Sequence, residues 1–227
     1  MHRKRHGIAG AALLLAAGVA AAAEQPPLVP RLAGTVTLDG RLHEAQWRQA
    51  LRIPQSAFSR WVADRYTPDT DEFALRLFHD GRRLYVALAT YDGSVQSDPN
   101  PENADGLYAF SLISRAGALR HYRLRWSANP PVPDGQMIED AKWGAHLRGP
   151  YADAAYAGGG YVLEFAIPFS ATGWRAGESV RINVIVQDRD GKPDVPYNHP
   201  QAALARFALG SLDNDDRSRY FTLTLAR

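Results

Sequence analysis

The centre of the chain alternates apolar and polar side chains, and this pattern predicts β-strands. In residues 73–92, apolar residues recur at every second position on both sides of a short polar stretch, 79–82. That stretch contains Asp80 and Gly81, and glycine tolerates the positive φ of a tight turn, so the segment predicts a β-hairpin. The second arm is apolar on both faces, which is typical of a strand inside a sheet covered on both sides. We therefore expect this hairpin in the middle of a β-sandwich.

The same alternation predicts further strands along the chain. They are expected at 35–38, 58–62, 107–113, 119–127, 145–147, 152–156, 161–167, 180–187 and 220–225. A short helix is predicted at 42–50, with Trp47 facing the core because a buried indole removes a large apolar area from water. Together these elements predict an all-β fold, a two-sheet antiparallel β-sandwich with one short N-terminal helix.

The first 23 residues predict a signal peptide rather than part of the fold. Arg3, Lys4 and Arg5 precede an apolar, alanine-rich stretch at 8–22, which is too short for a membrane span. Cleavage near Ala23 would make the protein secreted or periplasmic. Residues 24–34 then predict an extended lead-in, and 35–227 a single domain. No later stretch reaches about 18 apolar residues, so no membrane span is expected.

The charge and cysteine content narrow the possible partners. Three of the 26 basic residues lie in the predicted leader and none of the 24 acidic ones do, so the rest of the chain is close to neutral. There is no basic stripe, and we expect no nucleic-acid partner. The chain has no cysteine and therefore no disulfide.

Four blocks of sequence resemble carbohydrate-binding module family 9. Residues 38–50 (Leu-Asp-Gly-Arg-Leu-His-Glu-Ala-Gln-Trp-Arg-Gln-Ala) resemble its opening signature, and the hairpin, residues 161–169 and residues 182–190 resemble the following blocks, in family order. The resemblance implies an immunoglobulin-like β-sandwich, often with bound calcium. The best-known members accompany secreted xylanases and bind the ends of sugar chains, and some related sandwiches bind haem.

Tryptophans and polar strand residues are the candidates for sugar binding, because a pyranose ring packs its C–H face on an aromatic ring while polar groups bond its hydroxyls. We expect Trp61 and Trp143 to flank one groove. Trp126 and Trp174 are further candidates, and Arg125, Asn183 and Gln187 could bond hydroxyls. Core or edge packing is the alternative for each tryptophan, and a solvated sheet face is the alternative for the polar residues.

Aspartates at strand ends are the candidate metal ligands. Asp92, Asp105 and Asp188 lie where loops converge, and calcium prefers carboxylate and carbonyl oxygens. Aspartates that form turns are the alternative. The sequence thus predicts a calcium site at these three residues.

The functional prediction is a secreted, non-catalytic carbohydrate-binding module, because no hydrolase, zinc-protease or phosphate-loop motif is present. Its expected partner is a polysaccharide or oligosaccharide, with another secreted protein as a further partner. One alternative is a periplasmic scaffold domain without a small ligand. The other is a redox module that binds haem b, with Met137, Lys142, His121 and His146 as axial candidates.

Overall fold

Two β-sheets lie face to face in the computed structural model. It describes residues 25–62, 70–92, 105–125, 133–134, 142–148, 160–190 and 203–227. Within these residues, none of the helices has the length and apolar character needed to cross a membrane. The all-β sandwich predicted from the sequence is confirmed.

Thirteen strands and two short helices make up the described elements. They are β1 (Leu28–Val29), α1 (Ala45–Gln49), β2 (Leu51–Pro54), β3 (Ser59–Val62), β4 (Thr70–His79), β5 (Arg83–Asp92), β6 (Gly106–Ile113), β7 (Leu119–Arg125), β8 (Pro133–Asp134), β9 (Lys142–Arg148), β10 (Gly160–Pro168), α2 (Phe169–Thr172), β11 (Ser179–Asp190), β12 (Ala203–Leu209) and β13 (Phe221–Leu225). Single 3₁₀ turns lie at Gln55–Ala57 and Arg217–Arg219.

The strands form a large and a small sheet. In the large sheet the order is β1-β13-β11-β6-β7-β8, and β12 pairs with both β11 and β3. In the small sheet the order is β2-β4-β5-β10-β9. All the strand pairs are antiparallel except β1 with β13.

Alternate residues of each sheet meet between the sheets and form the core. On β11, for example, Val180, Ile182, Val184 and Val186 are all buried there. Phe110 on β6 packs edge-on against Phe165 on β10, with ring centroids 5.3 Å apart. Phe73 on β4 meets Phe207 on β12 at 5.2 Å. These contacts place β6 opposite β10 and β12 opposite β4.

The N-terminal segment covers the outer face of the small sheet. Trp47 packs edge-on against Phe78, with ring centroids 4.8 Å apart, and Phe78 stacks on Tyr85 at 4.7 Å. Glu164 on β10 accepts hydrogen bonds from the backbone N–H groups of Asp39 (2.9 Å) and Gly40 (2.6 Å). The segment is thus fixed by an apolar cluster and by one carboxylate. The prediction that Trp47 is a core residue is confirmed.

Several predicted elements differ from the structure. Residues 35–38 form no strand; Val36 and Leu38 pack beside the Trp47 cluster, and Glu44 accepts the N–H of Thr37 at 2.9 Å. The helix is shorter than 42–50, and β2 and β12 were not predicted. The predicted strand at 152–156 and the predicted signal peptide at 1–23 lie outside the described residues.

Candidate functional site

A row of residues crosses the outer face of the large sheet from β3 to β7. Trp61 lies opposite Arg206, Arg206 opposite Gln187, Gln187 opposite Gly106, and Gly106 opposite Arg125. Directly opposed residues of antiparallel strands share one face. Neighbours of this row, such as Ala205 and Val186, belong to the core. The row therefore lies on the opposite face, away from the core.

Trp61 and Arg206 provide the accessible chemistry of this row. The Trp61 side chain is 41% exposed. Arg206 donates from Nε to Oε1 of Gln187 at 3.0 Å, and its guanidinium lies 3.9 Å from the centroid of the Tyr108 ring. These two contacts hold the guanidinium of Arg206, the residue directly opposite Trp61 on the neighbouring strand. An aromatic face next to fixed donors suits a pyranose ring with its hydroxyls.

The structure uses the side chain of Asn183 to hold a loop. Its Nδ2 donates to the carbonyl of Ser211 and to Oδ1 of Asn214, both at 2.9 Å, and its Oδ1 accepts the N–H of Ser211 at 2.7 Å. Asn183 and Gln187 are both buried. The alternative of a solvated sheet face does not hold for these two residues, because the loop after β12 lies against Asn183 and Arg206 pairs with Gln187. A contact of either residue with sugar stays a prediction.

The strands that carry Trp61 and Trp143 lie at the edges of different sheets. Trp61 is on β3, at the edge of the large sheet, whereas Trp143 is on β9, at the edge of the small sheet. These edges lie on opposite sides of the sandwich, since β12 faces β4 and β6 faces β10. Trp143 lies opposite the core residue Phe165 in the β9–β10 register. The strands that carry the two tryptophans thus lie at opposite edges, and a sugar contact by Trp143 stays a prediction.

Among the described residues, neither of the other two tryptophan candidates presents an exposed ring for a sugar. Trp174 is buried, and its Nε1 donates to the carbonyl of Ile113 at 3.0 Å. It therefore closes one end of the core. Trp126 lies outside the described residues, as does Met137, one of the haem candidates.

Three buried carboxylates meet at one end of the sandwich. Asp92 ends β5 of the small sheet, Asp105 immediately precedes β6, and Asp188 is near the end of β11 in the large sheet. One carboxylate oxygen of each lies within 4.8 Å of the others. Asp92 and Asp105 continue the alternation of Leu88 and Leu107, and Asp188 is opposite Ala205, so all three point between the sheets.

The surroundings of this cluster suit a cation. Tyr161 is fully buried beside it, and its pKa is raised well above the usual value, first by burial and then by the charges of Asp105 and Asp92. The N–H of Arg189 donates to Oδ1 of Asp105 at 2.5 Å. Like charges this close inside a protein repel strongly unless they are protonated or bound to a cation. A donor set of carboxylate oxygens fits a hard divalent ion such as calcium. The three predicted ligands are thus together, and the bound ion stays a prediction.

Sequence reasoning missed Arg206 and Tyr108. Arg206 is on β12, which was not recognised as a strand. Tyr108 is on β6 close to a shift in the pairing register with β7. Alternation along the strand therefore does not predict which residues Tyr108 contacts. The signal that could have found Arg206 is its position in 203–209, where Leu204, Arg206 and Ala208 alternate with Ala205, Phe207 and Leu209.

Comparisons with known proteins agree with this architecture. No family model and no curated protein matches the chain. Among solved structures, a carbohydrate-binding module of family 9 from Caldicellulosiruptor kristjanssonii, in complex with cellotriose, is 18% identical, with 89% of this chain and 94% of that chain covered and a TM-score of 0.62. A proposed carbohydrate-binding protein from Bacteroides uniformis is 13% identical, with 88% and 100% covered and a TM-score of 0.51. The chain therefore has a fold similar to that of family 9 carbohydrate-binding modules.

Proposed function

We propose that this chain is a secreted carbohydrate-binding module that binds an oligosaccharide on the outer face of the large sheet and carries out no reaction on it. The observation that carries the proposal is the exposed Trp61 directly opposite Arg206 on the neighbouring strand, with the guanidinium held by Gln187 and Tyr108. The fold shared with a cellotriose-bound family 9 module supports it.

In this mechanism the indole of Trp61 takes the apolar face of one sugar ring, which removes C–H groups and ring surface from water. Arg206 donates hydrogen bonds to ring hydroxyls. Because Gln187 and Tyr108 already hold the guanidinium, little side-chain entropy is lost when a sugar binds. The binding site is therefore largely preformed.

A calcium ion held by Asp92, Asp105 and Asp188 is part of the proposal. Bound there, the ion would supply positive charge that offsets three buried carboxylates. Asp92 comes from the small sheet, while Asp105 and Asp188 come from the large sheet. The residues would thus join the two sheets at this end and stabilise the sandwich without touching the sugar.

The test is calorimetric titration of the protein with cellotriose and with a panel of other neutral oligosaccharides. We expect at least one sugar to bind, and we expect Trp61→Ala to weaken that binding about five- to thirtyfold, since stacking on an indole contributes on the order of 1–2 kcal/mol. Leu28→Ala is the matched control, because Leu28 is also an exposed apolar residue of the large sheet, at 57%, but lies on β1. If Trp61→Ala binds the sugar with unchanged affinity, the outer face of the large sheet is not the binding site.

A further inference from the structure

A positively charged cavity lies on the outer face of the small sheet, on the opposite side of the sandwich from Trp61. It has a volume of about 270 Å³ and is bounded by the N-terminal segment, β2, β4 and β5. Among the described residues, four arginines and one acidic residue line it: Arg41, Arg48, Arg52, Arg76 and Glu72. The rest of its described lining includes Leu42, Ala74, Ala89 and Tyr91.

Of the four arginines, Arg76 is half-buried and the other three are exposed. Arg76 lies deeper and donates from Nη1 to the carbonyl of Trp47 at 3.0 Å, and Arg52 pairs with Glu72 at 2.6 Å. Arg41 and Arg48 are exposed and lie on the N-terminal segment. Among the described residues of the wall, Glu72 pairs with Arg52, and positive side chains outnumber negative ones.

This excess is local to the cavity. The whole sequence has 26 basic and 24 acidic residues, so a wall with four arginines and one glutamate is a concentration of charge and not the average surface. Guanidinium groups bind carboxylates through paired, parallel hydrogen bonds. Tyr91, Ala74 and Ala89 add an aromatic and apolar wall, which a bare inorganic anion would not use.

We propose that this cavity binds an acidic sugar, with the carboxylate of a uronic acid residue bonded by the arginines and the pyranose ring against Tyr91 and the alanines. Its volume lies just below the range of about 300–1,000 Å³ for sites of drug-sized ligands, which suits a single sugar ring. The site is separate from the Trp61 row. Binding of an acidic sugar in the cavity can therefore be tested separately from binding of a neutral sugar at the Trp61 row.

The test is calorimetric titration of the protein with trigalacturonate in low-salt buffer. We expect binding that weakens as sodium chloride is added, because exposed guanidinium groups are screened by salt. We expect the double variant Arg41→Gln/Arg48→Gln to bind about tenfold more weakly or worse, since hydrogen bonds to charged groups contribute roughly 1.5–3 kcal/mol each. Both side chains are exposed, so this variant should fold normally, as thermal denaturation will show.

The matched control is Arg82→Gln/Arg175→Gln, which removes the same charge from exposed positions outside the cavity. It should bind trigalacturonate like the unchanged protein, and so should Trp61→Ala. Equal weakening by the control would mean non-specific attraction, and absence of binding by the folded protein would reject the site. Inorganic sulfate binding as tightly as trigalacturonate would also overturn the proposal, because the cavity would then select charge and not sugar. Cellotriose titrated into the same samples reports separately on the Trp61 row.

Discussion

Glu164 shows how one buried residue can tie a segment to a sheet. It is fully buried on β10, and its Oε2 accepts the N–H groups of Asp39 and Gly40. Burial raises the pKa of its carboxyl group to about 7, while the hydrogen bond from Gly40 opposes the rise. The sequence places Glu164 in a strand that resembles family 9 modules, but its partner 125 residues earlier in the chain becomes visible only in the folded structure.

The raised pKa of Glu164 predicts a dependence of stability on pH. In the unfolded chain the carboxyl titrates near its ordinary pKa of 4.5, whereas in the folded chain its pKa is about 7. The folded state therefore holds the proton more tightly. The stability that this group contributes is complete below pH 4.5 and is lost as the pH rises through 7.

The prediction is tested with Glu164→Gln, which stays neutral at every pH. We expect the free energy of unfolding of the unchanged protein, relative to this variant, to fall by up to about 3 kcal/mol between pH 4.5 and pH 8. Urea denaturation of both proteins across this range provides the measurement. Parallel pH profiles for the two would contradict the assignment.

The calcium proposal can be tested with Asp188→Asn, because its effect on stability should change direction between calcium and chelator. With calcium present, Asp188→Asn should lower the melting temperature and remove the increase that calcium causes, because a charged ligand is lost. With a chelator present, the same change should raise stability or leave it unaltered, since one of three neighbouring charges is gone.

Asp215→Asn is the control for this test, because Asp215 is exposed on the loop after β12. It should leave the calcium-dependent shift of the melting temperature unchanged. A melting temperature of the unchanged protein that calcium and chelator do not alter would reject the cation site.

At the scale of elements, the pairing of β10 with β5 depends on Gly160. Its φ is +154°, and a Cβ atom built there would lie 2.1 Å from the backbone oxygen of Thr90. Because that oxygen belongs to the neighbouring strand, the clash cannot be relieved by rotating a side chain. Gly117, in the turn between β6 and β7, also has a positive φ, +81°, but nothing lies within 4 Å of its Cβ position.

These two glycines make a matched pair for a stability prediction. We expect Gly160→Ala to lower the free energy of unfolding by roughly 3 kcal/mol or more. We expect Gly117→Ala to cost only about 1–2 kcal/mol, the cost of left-handed backbone. Urea denaturation compares them, and similar losses would show that the strands separate easily at this point.

The success of sequence reasoning differs from element to element for physical reasons. The hairpin of β4 and β5 was predicted because large aliphatic residues alternate along both arms and an Asp-Gly pair separates them. Strand β12 was missed because its inward and outward positions both include alanine, which weakens the alternation. Residues 35–38 alternate like a strand, yet Val36 and Leu38 bury themselves beside Trp47 without pairing in a sheet. Alternating apolar residues indicate that one side of a segment is buried, but they do not show that its backbone pairs with another strand.

At the scale of the whole molecule, the arrangement of candidate residues depended on contacts between distant strands. Asp92, Asp105 and Asp188 converge because each ends the inward alternation of its own strand at the same end of the sandwich, and this could be anticipated from strand ends. The separation of Trp61 from Trp143 could not, because it depends on which strand lies at the edge of which sheet. The row that joins Trp61, Arg206 and Gln187 likewise follows from register across three strands.

Sugar binding at the Trp61 row can be located by titrating the isotope-labelled protein with cellotriose and recording the amide and indole N–H chemical shifts. We expect shifts that saturate together at the Trp61 indole and at the backbone of β3, β12 and β11 around Arg206 and Gln187. Saturable shifts confined to other surfaces would contradict the proposed site. So would a neutral oligosaccharide that binds without shifting the signals of the Trp61 row.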